Sequence, residues 1–424
     1  MDLARRKFLA GGLGAAASVA VNAGGATSAQ SLPDDSTDSW LADIGHHLRR
    51  RFHDLRRHVV FEYYPWYANS PFRHWQQWDR VPPRDLAANT IPLLGAYDSR
   101  SAAVLEQHAA WIAESGVGAI NVSWWGRRRF EDRSVHLLMD VMNAHDVRVT
   151  FHLEPYGAER AEQFPSDVLY LLEEYGAKRS WDCLLFHQWA DGSTGPVFKL
   201  FNSLVPQHIV DCHGRKVALA HYVPEDTWRR VTNQLRETLR KDFDRLTILS
   251  ESSDARRVRA AGFDGVAVYG PDAPQQNWLD LALEASRQGL VFTFNTNPGM
   301  DEIERRNVES GSCYTPRPFV PPTRSIDWSV PGDREHARQL SERQIGETLL
   351  TSLLLQTHPW LGNDSSGFFL IYVCSFNEWH EGHQFEPMRN AASITPEERL
   401  HGYHNPSNGA YRLQHLTQQL ARLF

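Results

Sequence analysis

Short apolar or β-branched runs that read as strands recur eight times along this chain, and stretches with apolar spacing near 3.6 residues separate them. The predicted strands are Val59 to Tyr64, Gly118 to Trp124, Val147 to Leu153, Pro196 to Phe201, Leu246 to Ser250, Gly265 to Tyr269, Gly289 to Phe294 and Phe368 to Phe376. Predicted helices cover Ala102 to Glu114, Val135 to Ala144, Glu225 to Phe243, Trp278 to Gln288, Ser341 to Gln356 and Tyr411 to Phe424. Eight strand-then-helix units predict an α/β chain closed into a (β/α)8 TIM-type barrel. The rival is a doubly wound open sheet, but no Gly-rich phosphate loop follows the first strand. A minimal barrel needs ~250 residues. The chain has 424, so long βα loops are expected over Tyr67 to Ser101, Glu154 to Gly195 and Pro298 to Ser341. Pro316 to Pro331 holds five prolines and reads as an ordered surface loop or a flap.

The ends of the chain differ from its body. Arg5-Arg6-Lys7-Phe8-Leu9 precedes an uncharged run of small residues from Ala10 to Ala29. That pattern predicts a cleaved twin-arginine signal over residues 1–29, with one catalytic barrel domain over 30–424. The expected partner is the twin-arginine export machinery, and the expected destination is the periplasm or the medium. The formal net charge of −7 becomes −9 without that segment, since it carries Arg5, Arg6 and Lys7 against Asp2. A moderately acidic chain is a poor match for nucleic acid. No other uncharged run approaches the ~20 residues of a membrane span. Among the cysteines Cys183, Cys212, Cys313 and Cys374 there is no C-x-x-C pair. Their disulfide state stays open, with Cys374 expected as a buried thiol because it lies in an apolar strand.

In a parallel barrel the chemistry sits at the C-terminal ends of the strands. Those ends read Tyr63-Tyr64-Pro65-Trp66-Tyr67, Ser123-Trp124-Trp125-Gly126, His152-Leu153-Glu154-Pro155-Tyr156, Tyr269-Gly270, Asn295-Thr296-Asn297-Pro298-Gly299 and Ser375-Phe376-Asn377-Glu378-Trp379-His380-Glu381-Gly382. Aromatic rings beside carboxylates suit a sugar, whose C–H faces stack on rings and whose hydroxyls need acceptors. Some of the 14 Trp and 13 Tyr are simply core.

Glu378 and Glu381 can converge on one small cavity if the chain turns there. Glycoside cleavage needs a proton donor for the leaving oxygen and a second carboxylate at the anomeric side. Close carboxylates push their pKa values apart, so that one can stay protonated near neutrality. The plain alternative is a solvated acidic turn with His380 as its counter-charge. Another is a metal-dependent hydrolase built on His380, Glu381, His383 and Glu386, although H-E-x-x-H is absent and Gly382 and Pro387 oppose a regular helix. A third is a carbohydrate-binding barrel without turnover. His46, His47, His53 and His58 sit among arginines and read as a solvated helix face.

The strand ends resemble glycoside hydrolase family 99, the endo-α-1,2-mannosidases and endo-α-1,2-mannanases. The similar blocks are Tyr63-Tyr64-Pro65-Trp66-Tyr67, His74-Trp75, Gly95-Ala96-Tyr97-Asp98-Ser99, Val122-Ser123-Trp124-Trp125-Gly126, Phe151-His152-Leu153-Glu154-Pro155-Tyr156, Gly262-Phe263-Asp264-Gly265, Pro298-Gly299 and Ser375-Phe376-Asn377-Glu378-Trp379-His380-Glu381-Gly382, and they span residues 59 to about 387 in the family's order. The resemblance implies a (β/α)8 barrel that cleaves α-mannosidic bonds with retention and without a cofactor or metal. It implies that Glu378 assists the substrate 2-hydroxyl through a 1,2-anhydro sugar, and that Glu381 is the general acid/base. Tyr64, Trp66, Trp125, Glu154, Tyr269, Asn377 and His380 are the implied substrate-binding residues. Trp125 stands where bacterial members carry Trp and animal members Tyr, which points to mannan-type substrates, and the partner the resemblance implies is an α-mannan or mannose-containing oligosaccharide. The chain departs from the family at Phe201-Asn202-Ser203, at Met300 to Arg306, and at His383 and Phe385. These departures bear on the sugar recognised more than on the reaction.

Overall fold

The computed structural model describes residues 34–424 apart from 156–158, 271–273 and 324. The expected signal over 1–29 and Tyr156 lie outside the described residues. Eight parallel strands close on themselves: β1 Val59–Tyr63, β2 Ala119–Trp124, β3 Arg148–Leu153, β4 Thr194–Leu200, β5 Thr247–Ser250, β6 Gly265–Val268, β7 Val291–Thr296 and β8 Ile371–Val373. Each pairs with its sequence neighbours, and Val59↔Ile371 joins the first strand to the last. The barrel expected from the sequence is therefore the observed fold.

Side-chain alternation explains the closure. In β1, Val59, Phe61 and Tyr63 join the apolar layer beneath the helices, as do Ile120, Val122 and Trp124 in β2. Their alternates Val60 and Ala119 belong to a separate apolar plug with Val197, Leu249, Ala267, Val291, Leu370 and Tyr372, which fills the lower barrel. One level higher the interior turns polar. Lys199 of β4 reaches across to Glu62 of β1 at 2.5 Å, and Asn121 donates to the other Glu62 oxygen at 2.8 Å. Burial opposes ionisation of Glu62, but Lys199 and His152 outweigh it and pull its carboxyl down to about 2.

The labelled helices are α1 Asp34–Arg49, α2 Ala102–Glu114, α3 Phe130–Ala144, α4 Arg160–Leu172, α5 Glu225–Leu239, α6 Ala255–Ala260, α7 Trp278–Arg287, α8 Pro331–Gln356 and α9 Tyr411–Leu423. α2 buries Leu105, His108, Ala109 and Ile112, one stripe of a 3.6-residue period. α1 packs on α9, where the Arg49 guanidinium donates to the Leu423 carbonyl at 2.6 Å. Among the described residues no helix is long and apolar enough to cross a membrane.

Several boundaries differ from the sequence expectation. α4 lies in a stretch expected as loop, with Pro165 inside it, so its breaker residue masked the helix. α8 begins ten residues early because Pro331 opens the helix, where its missing N–H costs nothing. The expected eighth strand pairs only over Ile371–Val373; Phe368 and Leu370 belong to the lower plug instead. His58 is not on a solvated face: its Nδ1 bonds the Phe369 carbonyl at 2.7 Å, and burial holds its pKa down to about 4.

Cys212 and Cys313 form a disulfide, whereas Cys183 and Cys374 are buried thiols. The bridge ties an exposed hairpin in the β4–α5 loop to the flap between β7 and α8.

Candidate active site

Aromatic and carboxylate side chains meet at the C-terminal mouth of the barrel, where the polar interior opens. Near the C-terminal end of β2, the Ser123 hydroxyl accepts from the Trp66 indole at 3.0 Å and from the Trp125 indole at 3.2 Å, and donates to Glu154 at 2.7 Å. One hydroxyl offers one donor and two acceptor sites, so Ser123 is fully used. It fixes two half-buried indoles, 67° apart, beside a buried carboxylate. Burial raises the Glu154 pKa.

After β6, the Tyr269 hydroxyl donates to Glu378 at 2.6 Å, and Tyr64 bonds Tyr269 at 2.5 Å. Burial keeps both phenols far above their ordinary range, so each remains an O–H donor. The chain Tyr64–Tyr269–Glu378 therefore points its protons toward the carboxylate.

The turn after β8 brings Glu378 and Glu381 together. His383 holds them, with Nε2 at 3.4 Å from Glu378 and 3.0 Å from Glu381. The Ser375 hydroxyl lies 2.9 Å from His383 Nδ1 and accepts the Glu378 amide at 2.9 Å. Glu378 is 7 % exposed, whereas the Glu381 carboxyl is more open and receives the Arg317 guanidinium from the flap at 2.9 Å. Burial, and then the charge of Glu381, push the Glu378 pKa well above the carboxylate range. Burial also opposes ionisation of Glu381, but hydrogen bonds and charge interactions with His383 and Arg317 outweigh it and hold that carboxyl low. Within the pair, Glu378 is thus the carboxyl that more readily holds a proton and Glu381 the one that more readily carries the charge.

The flap docks tightly on this turn. Asp301 and Ile303 amides donate to the Glu381 and His380 carbonyls at 3.0 and 2.8 Å. A Cβ at Gly382, whose φ is +69°, would stand 2.2 Å from the Asp301 oxygen, so the close approach requires glycine.

Two of the sequence candidates bind the scaffold. Asn377 exchanges hydrogen bonds with the Tyr64 backbone at 2.8 and 3.0 Å, which latches the β8 turn to the end of β1. His380 bonds the His74 carbonyl at 3.1 Å and packs beside Tyr67 and Trp78. Burial lowers its pKa to about 4, so it is not the counter-charge of the pair.

The four residues of the metal reading do not converge. Glu386 accepts from Tyr97 at 2.8 Å and from the Trp379 indole at 2.9 Å, and faces His108 at 3.2 Å, inside the wall. Glu378, Glu381 and His383 do place ligand atoms within 4.8 Å of one another. There, however, Tyr269 and Arg317 already supply hydrogen bonds and positive charge.

Sequence reasoning missed His383 as the bridge and Ser375 as its support, Ser123 as the anchor of Trp66, Trp125 and Glu154, and Glu251, which follows β5. Its carboxylate accepts the Asn202 amide at 3.1 Å, and burial raises its pKa. The signal for Glu251 was available, since it directly follows an expected strand.

The sequence profile for glycosyl hydrolase family 99 matches residues 54–310. The glycoprotein endo-α-1,2-mannosidase of Mus musculus is 25% identical over 379 residues, covering 80% of this chain and 70% of that one. That of Xenopus laevis is 24% identical over 361 residues, covering 76% and 68%. The structure of the family 99 endo-α-mannosidase from Bacteroides thetaiotaomicron superposes with a TM-score of 0.57 at 19% identity, covering 87% of this chain and 97% of that one.

Proposed function

The chain belongs to glycosyl hydrolase family 99 and is a glycoside hydrolase, and from that premise we propose that it cleaves α-1,2-mannosidic linkages within mannans or mannose-rich glycans, with retention. The observation that carries the reading is the Glu378–Glu381 pair, held by His383 where the barrel opens. Carboxylate oxygens within 4.8 Å of each other are nearer to the close spacing of retaining enzymes than to the wider spacing of inverting ones, which supports retention.

Glu378 removes the proton of the substrate 2-hydroxyl, which attacks the anomeric carbon and gives a 1,2-anhydro sugar. Glu381 protonates the leaving oxygen, then takes a proton from the water that opens the anhydro ring. The proton must therefore lie on Glu381 at the start, against the bias that burial of Glu378 sets. Interconversion needs no net charge, because one proton is shared between two coupled carboxylates. Tyr269 serves the productive arrangement by donating to Glu378 once that group is the anion. Trp66 and Trp125 offer rings for sugar faces, and Glu154 accepts from a hydroxyl.

A panel of α-mannans and high-mannose oligosaccharides, with products sized and the first-formed anomer read by proton NMR, tests the function. Internal cuts with retained configuration are expected. Inverted product refutes the mechanism, and intact glycans throughout refute the substrate class. Glu381→Gln is expected to lower turnover by roughly 10²–10⁴-fold on unactivated substrates. We also propose that residues 1–29 direct twin-arginine export to the periplasm or the medium, as Arg5-Arg6 and the uncharged run suggest.

A further inference from the structure

Arg317 lies on the β7–α8 flap, outside the barrel strands, yet its guanidinium reaches the candidate acid. It meets Glu381 at 2.9 Å and Glu302 at 3.4 Å. Two fastenings hold the chain around it. Four residues before it, Cys313 is bonded to Cys212. Three residues after it, Val320 and Met300 exchange backbone hydrogen bonds, both of 2.9 Å. The side chain is nevertheless 41% exposed, so a ligand entering along the flap can reach it.

We propose that Arg317 is a positioning residue that sets specificity: it occupies Glu381 from the leaving-group side, and the outgoing part of a bound glycan must displace it before Glu381 can give up a proton. The proposal rests on Glu381 being the acid, which also fixes the side of the cleft on which the leaving sugars lie. An ammonium or guanidinium in contact favours the anionic carboxylate, and a general acid is useful only when protonated. The other groups facing Glu381 are Glu302 of the flap, Glu378, His380 and His383 of its own turn, Tyr67 after β1, Tyr269 after β6 and Cys374 at the end of β8. The phenols and the thiol stay neutral, so Arg317 is the permanent cation among these described groups. A long glycan has enough sugars on the leaving side to lie over the flap and take the guanidinium's place. A substrate with one leaving sugar does not.

The test compares polymeric α-1,2-mannan with an oligosaccharide carrying one sugar on the leaving side, using wild type, Arg317→Gln and Arg317→Lys. Arg317→Gln is expected to raise kcat/KM on the short substrate about tenfold, the low end of what one contacting charge does to a carboxyl. Its ratio of long to short substrate falls accordingly. The acid limb of its pH profile moves up by about one unit, because Glu381 is the lower of the two coupled carboxyls. Arg317→Lys keeps both the wild-type ratio and the wild-type limb. If Arg317→Gln changes kcat/KM by the same factor on both substrates, with an unmoved limb, Arg317 is only structural and the proposal is overturned. If wild type cleaves neither substrate, the proposed reaction itself has failed, and this inference falls with it.

Discussion

Tyr269→Phe isolates the hydrogen bond that stabilises Glu378 as a base. The phenol donates at 2.6 Å to a carboxyl that burial and the neighbouring Glu381 already make hard to ionise. A hydrogen bond to a charged group is worth about 1.5–3 kcal/mol. One pKa unit corresponds to about 1.4 kcal/mol, so the substitution should raise the Glu378 pKa by about one to two units. Glu378 holds the higher pKa of the pair, so the alkaline limb of kcat/KM moves up by that amount. The fraction of enzyme with its proton on Glu381 falls by the same factor, and kcat/KM near neutrality drops about 10–100-fold. Tyr64 also bears on Glu378, so its hydroxyl can partly replace the lost donor. Tyr64→Phe/Tyr269→Phe should therefore lose more than the two single variants added together. The assay is kcat/KM against pH on an unactivated α-mannoside, with circular dichroism as the folding control. An unchanged alkaline limb in folded Tyr269→Phe would show that this hydroxyl does not govern the base.

Other outcomes follow from the same geometry. Lys199→Met leaves Glu62 buried without its cation and should cost about 3–5 kcal/mol in urea unfolding, most of which Lys199→Met/Glu62→Gln restores. Because the Glu62 pKa is depressed to about 2, its contribution is complete above the ordinary glutamate range and is lost as pH falls toward 2, which acid unfolding of wild type and Glu62→Gln can compare. Activity should survive EDTA; loss that zinc reverses would favour a metal held by Glu378, Glu381 and His383. Exchanging Arg5 and Arg6 for Lys should leave precursor in the cytoplasm, and unchanged delivery on fractionation would refute the export reading.

The barrel was legible because inward and outward residues alternate in β1 to β3 and because helical stripes such as Leu105, Ala109 and Ile112 follow the strands. Strand lengths were less so. Phe368 to Phe376 is apolar but for Ser375, yet only its centre pairs, since a barrel floor and a barrel strand select the same side chains. At the site, the strand-end position of Glu378 and Glu381 was readable from the apolar run before them. The partition of roles around them was not. Asn377, His380, His383 and Glu386 alternate with the acids in sequence, but the turn sends Asn377 to the Tyr64 backbone, His380 to His74, Glu386 to Tyr97 and only His383 to the pair. Without strand or helix periodicity there, side-chain direction has no sequence signature. Lys199 is the lone charge in an otherwise apolar predicted strand, and nothing in the sequence places Glu62 opposite it. Arg317 sits in a proline-rich stretch whose destination only tertiary contacts decide.

The pairing of β1 with β8 and of α1 with α9 bears on when the molecule can exist. Val59 has no partner on one flank until Ile371 is made, and the Arg49 guanidinium waits for the carbonyl of Leu423. Contacts that span almost the whole chain carry a loop-closure cost and slow folding. During synthesis the first strand is therefore an open edge until the eighth has emerged, and α1 waits in the same way for α9. An unpaired strand edge is a template for another chain, so the closing of that seam also marks the moment at which the molecule ceases to be open to misassembly.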